Sequence, residues 1–337
     1  MLKKSIITIT ALGMSVFLSA QIPHWEFFNG PWCAQRIVDM GMSYVSVTAP
    51  YPPPVIYAVN ENTCLAKTTN DGYTWEILPK GHNFAEAIKC VAAHPTNPNI
   101  VYKGITGNTS QTGIMKSTDG GYNWVCVNNG LPDAIHPSKL GIFPHPGYYD
   151  YLLLGMSSDQ QIYAGYSLYR TTDGGNTWEH YSFPWEPHFL NITDFSFDPT
   201  APEVVCFSAD YSSDPNNAYR GVWLSEDFGE TWVQIGKPGT GPYSMPNPDV
   251  TCLAIGDRNI IYAGYYDEKK KISGIQQTTD SGRNWRKMPI ILKGILIDIL
   301  NEQNKIYLVI KSSKNIKFIE YNISNFSKIN ERVVIEK

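Results

Sequence analysis

The sequence predicts an all-β fold assembled from a repeated sheet, and three observations carry this prediction. An eight-residue motif that ends in tryptophan occurs five times, closing at Trp75, Trp124, Trp178, Trp232 and Trp285. Consecutive copies are 49 to 54 residues apart. Short apolar stretches of strand length precede and follow each copy, as expected for two strands joined by a turn. A repeat of about 50 residues with this content is typical of a radial β array, so we expect a single β-propeller.

Each copy of the motif has the composition of a tight hairpin turn. A hydroxyl residue is followed two positions later by an acid, and the acid two positions later by glycine. The acid can accept hydrogen bonds from the turn's own amides, while glycine supplies a positive φ. The first copy carries Asn70 in place of the acid, which predicts a somewhat weaker hairpin. We interpret the motif as structural, with these key residues: Asn70, Gly72, Trp75, Asp119, Gly121, Trp124, Asp173, Gly175, Trp178, Asp227, Gly229, Trp232, Asp280, Gly282 and Trp285.

The pattern S/T-x-D-x-G-x-T/N-W resembles the Asp-box, or BNR, repeat. That repeat is found in sialidases, xyloglucan-degrading glycosidases, sortilin-type receptors and photosystem-assembly propellers. The resemblance covers residues 68–285. It implies that each box lies on the turn between the third and fourth strands of a propeller blade, away from the functional face. Because these families share the box and differ in activity, the box is specific for a fold and not for a function.

Four strand-like stretches recur around each box and give the blade boundaries. We predict six four-stranded blades, with seven as the rival count; they lie near 44–80, 87–130, 138–183, 192–236, 249–289 and 292–337. The sixth repeat has no box, as is common for a terminal repeat. The segment 21–43 is a candidate ring-closing strand against the last blade, because closure removes exposed sheet edges.

The first twenty residues predict a secretory signal peptide. Lys3 and Lys4 precede an apolar core that runs from Ile6 to Leu18, and small residues end at Ala20. The apolar core is too short for a comfortable membrane span, and no other segment approaches the needed length. We therefore expect cleavage near Ala20, a secreted or periplasmic mature protein, and no membrane span.

Charge, cysteine and histidine usage exclude several classes of site. A net charge of −4 without a basic stripe argues against nucleic-acid binding. The six cysteines show no metal-site spacing, so we expect at most one disulfide, no metal and no cofactor; they are Cys33, Cys64, Cys90, Cys126, Cys206 and Cys252. His94 and His145 are interpreted as turn residues, at the position where other repeats carry Asp198 and Asp257.

The long loops on one face are the predicted binding region, because rigid scaffolds commonly carry function on variable loops. In propellers that resemble this one, the loops leaving strand four and those joining strands two and three share a face. Exposed aromatic rings beside carboxylates suit a sugar ring or a peptide, and the predicted site residues are Trp185, Tyr211, Tyr243, Asp133 and Glu186. The structural alternative for each residue is ordinary packing of loops on proline and glycine turns.

No catalytic constellation is recognisable in the sequence. The arginine cluster and Phe-Arg-Ile-Pro signature of sialidases are missing, and no G-x-S-x-G motif occurs. The xyloglucan-degrading enzymes that the repeat resembles clamp one cleft between two propellers, whereas this length predicts one propeller. We therefore expect a non-enzymatic binding or assembly module with a protein or glycan ligand on the loop face. The alternative is a carbohydrate-active glycoside hydrolase of the BNR-repeat type, for which the sequence nominates no catalytic pair.

Overall fold

The computed structural model describes residues 37–43, 54–60, 64–70, 74–79, 87–106, 112–133, 135–157, 167–183, 190–212, 218–257, 259–302, 305–311, 315–324 and 327–335. These residues form 24 β-strands, arranged as six four-stranded sheets that each take four consecutive strands in order. Strand partners run antiparallel, as β1 and β2 or β13 and β14 do. Within the described residues no helix is long and apolar enough to cross a membrane.

The six sheets are named A to F in chain order. Sheet A contains β1 (Ile37–Ser43), β2 (Val55–Asn60), β3 (Leu65–Thr68) and β4 (Glu76–Ile77). Sheet B contains β5 (Ala87–Ala93), β6 (Val101–Thr106), β7 (Gly113–Ser117) and β8 (Val125–Cys126). Sheet C contains β9 (Pro137–Ile142), β10 (Leu152–Met156), β11 (Leu168–Thr171) and β12 (Glu179–His180).

The remaining three sheets have longer strands. Sheet D contains β13 (Leu190–Phe197), β14 (Val205–Ser212), β15 (Gly221–Ser225) and β16 (Val233–Gly236). Sheet E contains β17 (Val250–Asp257), β18 (Ile260–Asp267), β19 (Ile272–Thr278) and β20 (Arg286–Lys293). Sheet F contains β21 (Ile295–Glu302), β22 (Lys305–Lys311), β23 (Asn315–Asn322) and β24 (Lys328–Ile335). The sixth repeat, which has no box, therefore has a complete set of four strands.

The described residues fall into two compact units. The first contains sheets A and B and most of sheet C; the second contains sheets D, E and F with the ends of β10 and β11. Within each unit, the first strands of consecutive sheets pack on one another: β1 on β5 and β5 on β9, then β13 on β17 and β17 on β21. The apolar cores lie between facing sheets, as where Tyr57 and Leu65 of sheet A meet Val91 and Ile105 of sheet B.

Side chains of the first strands add hydrogen bonds between neighbouring sheets. Asp39 in β1 accepts a hydrogen bond from the backbone N–H of Val91 in β5 at 2.8 Å. Asp194 in β13 accepts the corresponding bond from Leu253 in β17 at 3.0 Å. Both acids follow a bulge in their strand, where an extra residue re-aims the side chain. Buried Asp39 and partly buried Asp194 are thus satisfied by the next sheet's backbone, as polar groups removed from water need to be.

Each motif residue has a local structural role, shown by the second copy between β7 and β8. Ser117 donates from Oγ to Asp119 Oδ1 at 2.7 Å and accepts from the N–H of Gly121 at 2.9 Å. Asp119 Oδ1 also accepts from the N–H of Asn123 at 2.9 Å. These bonds, led by the one from Asn123, lower the pKa of Asp119 to about 2. Gly121 has a φ of 95°, which disfavours a side chain there.

The second and third boxes also join their sheets to the preceding sheet. Lys67 in β3 donates to the carbonyl of Gly120 in the second box, and Lys116 in β7 donates to that of Gly174 in the third at 3.0 Å. The indole of Trp178 donates to the carbonyl of Val127 at 2.8 Å. Because these contacts link consecutive sheets, the box holds two sheets together in addition to forming a turn.

Two interpretations from the sequence need correction. Ile37–Ser43, predicted to belong to a ring-closing segment, pairs with β2 and is the first strand of sheet A. Residues 21–36, like the predicted signal peptide 1–20, lie outside the described residues. His145 is not the counterpart of His94: the N–H groups of His94, Phe143 and Asp198 make the equivalent turn bonds, to Ile100, Tyr151 and Val204. Phe143 is apolar where its counterparts are polar, so the sequence pattern alone does not reveal this alignment.

Four of the five cysteines in the described residues lie in strands. Cys90, Cys206 and Cys252 are buried free thiols in β5, β14 and β17. Burial raises the pKa of all three thiols above the ordinary cysteine value. Buried thiols of this kind behave as small apolar side chains. Cys33 lies outside the described residues.

Candidate functional site

The structure places the predicted site residues in different surroundings. Trp185 and Glu186 lie outside the described residues. Asp133 is exposed in the connection between β8 and β9. Tyr211 is in β14, opposite Asn191 of β13. Tyr211 directly follows Asp210 of a polar cluster in the chain, whereas the backbone of Tyr243 bonds to Arg283 of the fifth box.

Tyr243 is held by the backbone and the core. It has a φ of 63°, its N–H donates to the carbonyl of Arg283 at 3.1 Å, and its own carbonyl accepts from Lys237 at 2.8 Å. Its half-buried ring packs against the cluster that contains Met245 and Trp285. A non-glycine residue with positive φ is uncommon and is kept where the surroundings over-determine it. This placement favours a packing role for Tyr243.

A polar cluster, here called the loop-edge cluster, lies at the ends of strands in sheets D and E. It consists of Asn191, Asp210, Arg220 and Asp249. Asp210 is the bulged residue of β14, since Asn191 pairs with Tyr211 while the next residue, Ile192, pairs with Ala209. Bulges re-aim side chains and are over-represented beside functional sites. The bulge therefore turns Asp210 out of the regular strand pattern.

Asp210 is the carboxyl with the most unusual environment in the cluster. Burial raises its pKa above the ordinary aspartate value, and the nearby charge of Asp249 acts in the same direction. The side-chain amide of Asn191 donates to Asp210 Oδ1 at 2.7 Å and opposes that shift without cancelling it. Asp210 thus holds its proton to higher pH than an exposed aspartate does.

Asp249 is ion-paired instead. The guanidinium of Arg220 contacts Asp249 Oδ1, and the two side chains are 27% and 45% exposed. Gln234 fixes the backbone beside this arginine by donating to the carbonyls of Ala218 and Arg220 at 2.9 and 3.0 Å. The Nε atom of Arg220 is buried and has no hydrogen-bond partner among the described residues. The pair is therefore preorganised, yet reachable from solvent.

The cluster can bind a polar ligand and could support proton transfer. It combines a carboxyl with a raised pKa, an accessible carboxylate, a guanidinium and an amide, which together donate and accept hydrogen bonds. No group of His, Cys, Asp or Glu suited to a metal ion occurs among the described residues. The sequence does not single out Asn191, Arg220 or Asp249, because polar residues at strand ends follow no period. The bulge that positions Asp210 is equally invisible in the sequence.

Comparisons with known proteins find similarity to a sortilin family model and to xyloglucanases. A family model described as sortilin, neurotensin receptor 3, matches residues 112–249. The xyloglucanase Xgh74A of Acetivibrio thermocellus is 25% identical over an alignment of 198 residues, and that alignment covers 52% of this chain and 21% of that enzyme. This chain therefore spans about a fifth of the length of the curated relative.

Two solved structures share the fold over most of the chain. The GH74 xyloglucanase from Xanthomonas campestris superposes with a TM-score of 0.61 and 14% identity, covering 91% of this chain and 48% of that one. YCF48 bound to D1 peptide superposes with a TM-score of 0.56 and 14% identity, covering 89% and 83%. At this identity the likeness shows the fold alone. Together with the sortilin match and the five boxes, it confirms that the chain is similar to BNR-repeat, sortilin-like β-propeller proteins.

Proposed function

We propose that this protein is an exported, six-bladed β-propeller that binds a protein or glycan and catalyses no reaction itself. The observation that carries the proposal is the superposition with YCF48, which includes more than four-fifths of each chain. That structure is of YCF48 bound to D1 peptide, so a propeller of this fold can serve as a binding scaffold.

The loop-edge cluster is the proposed contact surface for the ligand. Arg220 and Asp249 offer opposite charges at a solvent-accessible strand end, and Tyr211 lies beside Asp210 in β14. Trp185, Glu186 and Asp133 stay separate sequence-based predictions of ligand-contacting residues. Hydrogen bonds made by charged groups are strong and directional, so they suit a binding site for a polar partner.

The test is affinity capture with a charge-altered variant and a matched control. The mature chain is immobilised and incubated with envelope extract of the source cells, and with a glycan array. Arg220→Gln combined with Asp249→Asn should weaken capture at least several-fold. Asp267→Asn removes a different surface ion pair of the same unit, with Lys270 at 3.0 Å, and should leave capture unchanged. Equal capture by all three proteins would place the ligand elsewhere and contradict the proposed surface.

A glycoside hydrolase is the second candidate, favoured by one observation. Asp210 has the raised pKa that a general acid needs, and Asp249 lies close enough for its charge to affect that pKa. Asp210 would protonate the leaving oxygen, and Asp249 would act as the partner carboxylate. Release of reducing sugar from xyloglucan that disappears in both Asp210→Asn and Asp249→Asn would establish this activity and overturn the non-enzymatic proposal.

A further inference from the structure

We propose that the turn formed by residues 94–100, here called the His94 turn, is an acid-sensitive joint that loosens when the His94 imidazole takes up a proton. The inference is independent of the proposed binding function. It rests on the hydrogen bonds of one ring nitrogen, on a comparison with the same turn in sheet D, and on what the turn supports.

The Nδ1 atom of His94 is used as an acceptor. It accepts from the N–H of Thr96 at 3.2 Å and from that of Asn97 at 3.1 Å. A neutral imidazole can accept at this nitrogen, but an imidazolium carries a hydrogen on both nitrogens and accepts at neither. Protonation of Nδ1 would set its N–H against two backbone donors. The folded turn therefore requires the neutral ring, with its hydrogen on Nε2.

In the equivalent turn of sheet D, a carboxylate accepts the backbone hydrogen bonds in place of an imidazole. The N–H of Asp198 bonds to Val204 as that of His94 bonds to Ile100. Asp198 Oδ1 accepts from the N–H groups of Thr200 and Ala201 at 2.7 and 2.9 Å. Carboxylates ordinarily stay ionised across the pH range in which histidine titrates. The use of histidine in sheet B thus adds a pH dependence that the shared geometry does not need.

The surroundings of His94 favour the neutral form of its imidazole. The ring meets Tyr149 edge to face, with centroids 4.8 Å apart. Burial lowers the pKa of His94 below the usual histidine value, Asp150 opposes this, and Lys116 adds to it. Because the folded state favours the neutral ring, stability is full above the ordinary histidine pKa near 6.5 and falls as the pH drops below it.

The His94 turn supports two other parts of the first unit. Tyr57 of sheet A donates from its hydroxyl to the carbonyl of Pro98 at 2.6 Å. The N–H of Gly120 in the second box donates to the carbonyl of Asn99 at 2.9 Å. Loss of the two Nδ1 bonds would release the backbone that carries both carbonyls. The predicted response to acid is therefore a local opening around sheets A and B, centred on this turn.

The test compares pH 7.5 with pH 5.5 in the full mature chain. Amide exchange of Thr96, Asn97 and Gly120, corrected for intrinsic rates, should lose protection at pH 5.5 in the unaltered protein. His94→Asp and His94→Asn keep an acceptor that does not titrate there, so their protection should not change. His180→Gln removes an exposed histidine of β12 and should behave as the unaltered protein does.

A second measurement needs no variant. The nitrogen chemical shifts of His94 should show a neutral ring with hydrogen on Nε2 at pH 7.5, and a titration below pH 6.5. A hydrogen on Nδ1 at pH 7.5 would overturn the proposal. This result can be obtained whether or not the variants fold. An equal loss of protection on acidification in His94→Asp, His94→Asn and the unaltered protein would also overturn the proposal.

Discussion

The indole Nε1 of Trp285 donates a hydrogen bond to the carbonyl oxygen of Ile235, 2.6 Å away, and thereby ties the fifth box to the outer strand of the preceding sheet. Trp178 makes the same bond to Val127. Trp124 and Trp232 instead donate to glycine carbonyls of their own boxes, Gly121 and Gly229. One repeated motif therefore uses its tryptophan in two ways, and only the first crosses between sheets.

Removal of a buried box tryptophan should cost much of the protein's stability. Trp178 is 3% exposed, so Trp178→Ala would leave a large cavity between strands and lower the free energy of unfolding by about 3–5 kcal/mol. Val125, 62% exposed on β8, serves as the control, because Val125→Ala should change stability by less than about 0.5 kcal/mol. Denaturant unfolding measures both. A loss below about 1 kcal/mol for Trp178→Ala would mean that the ring is not packed as described.

Two glycines with nearly equal φ allow the cost of backbone strain to be measured apart from the cost of steric crowding. Gly121 and Gly147 have φ values of 95° and 90°. A Cβ on Gly121 would lie 2.6 Å from Leu78 Cδ1, whereas one on Gly147 would meet nothing within 4 Å. Gly147→Ala should cost about 1–2 kcal/mol for the left-handed backbone alone. Gly121→Ala should cost clearly more in the same unfolding experiment, and equal costs would contradict the close approach of the second box to sheet A.

The first box should be improved by restoring its acid. Asn70 Oδ1 accepts from the N–H of Thr74 at 2.9 Å, as Asp173 Oδ1 accepts from Thr177. Bonds to a carboxylate are stronger than bonds to an amide oxygen, so Asn70→Asp should stabilise by about 0.5–1 kcal/mol. The gain is measured as a rise in melting temperature at pH 7. It should vanish at a pH low enough to protonate the new carboxyl, and a gain that persists there would point to another cause.

The box acids should titrate at unusually low pH. The hydrogen bonds from Asn123 and Ser117 lower the pKa of Asp119 to about 2, from an ordinary aspartate value near 4. Because the folded pKa is depressed, the stabilisation is present above the unfolded value and is lost as the pH falls through the folded value. Carboxyl carbon shifts followed by NMR from pH 5 to pH 1.5 check this. Titration of Asp119 near pH 4 would show that the carboxylate bonds are not formed in solution.

A buried lysine should make stability rise with pH. Lys103 in β6 is fully buried, with its Nζ 4.0 Å from the centre of the Trp124 ring. Burial lowers its pKa to about 7. The folded state thus binds fewer protons than the unfolded chain between pH 7 and 10, and stability should increase there by up to about 1.4 kcal/mol per pH unit. Lys103→Met should flatten this slope in urea titrations at pH 7, 8.5 and 10, and an unchanged slope would assign it to other groups.

Features that depend on neighbouring residues can be predicted from the amino-acid sequence alone. The hydroxyl, acid and glycine of the last four boxes make bonds within five residues, so the turn-forming roles of Ser117, Asp119 and Gly121 follow from their types and spacing. The strand positions in the sixth repeat follow from its apolar stretches in the same way. Turns and strands of this kind can be predicted because the residues that form them lie close together in the chain.

Features that depend on partners distant in sequence are set by the assembled fold. The pairing of Ile37–Ser43 with β2 is fixed by packing across the first unit, so the pattern of that segment does not reveal it. Burial of Lys103, the bulge at Asp210 and the packing of Tyr243 against the fifth box depend on residues of other strands, which lie far away in the sequence. The loop-edge cluster has the same origin, since Arg220 and Asp249 are 29 residues apart and come together only through the packing of two sheets. Burial and electrostatics are properties of the assembled neighbourhood, and one repeat read alone does not contain them.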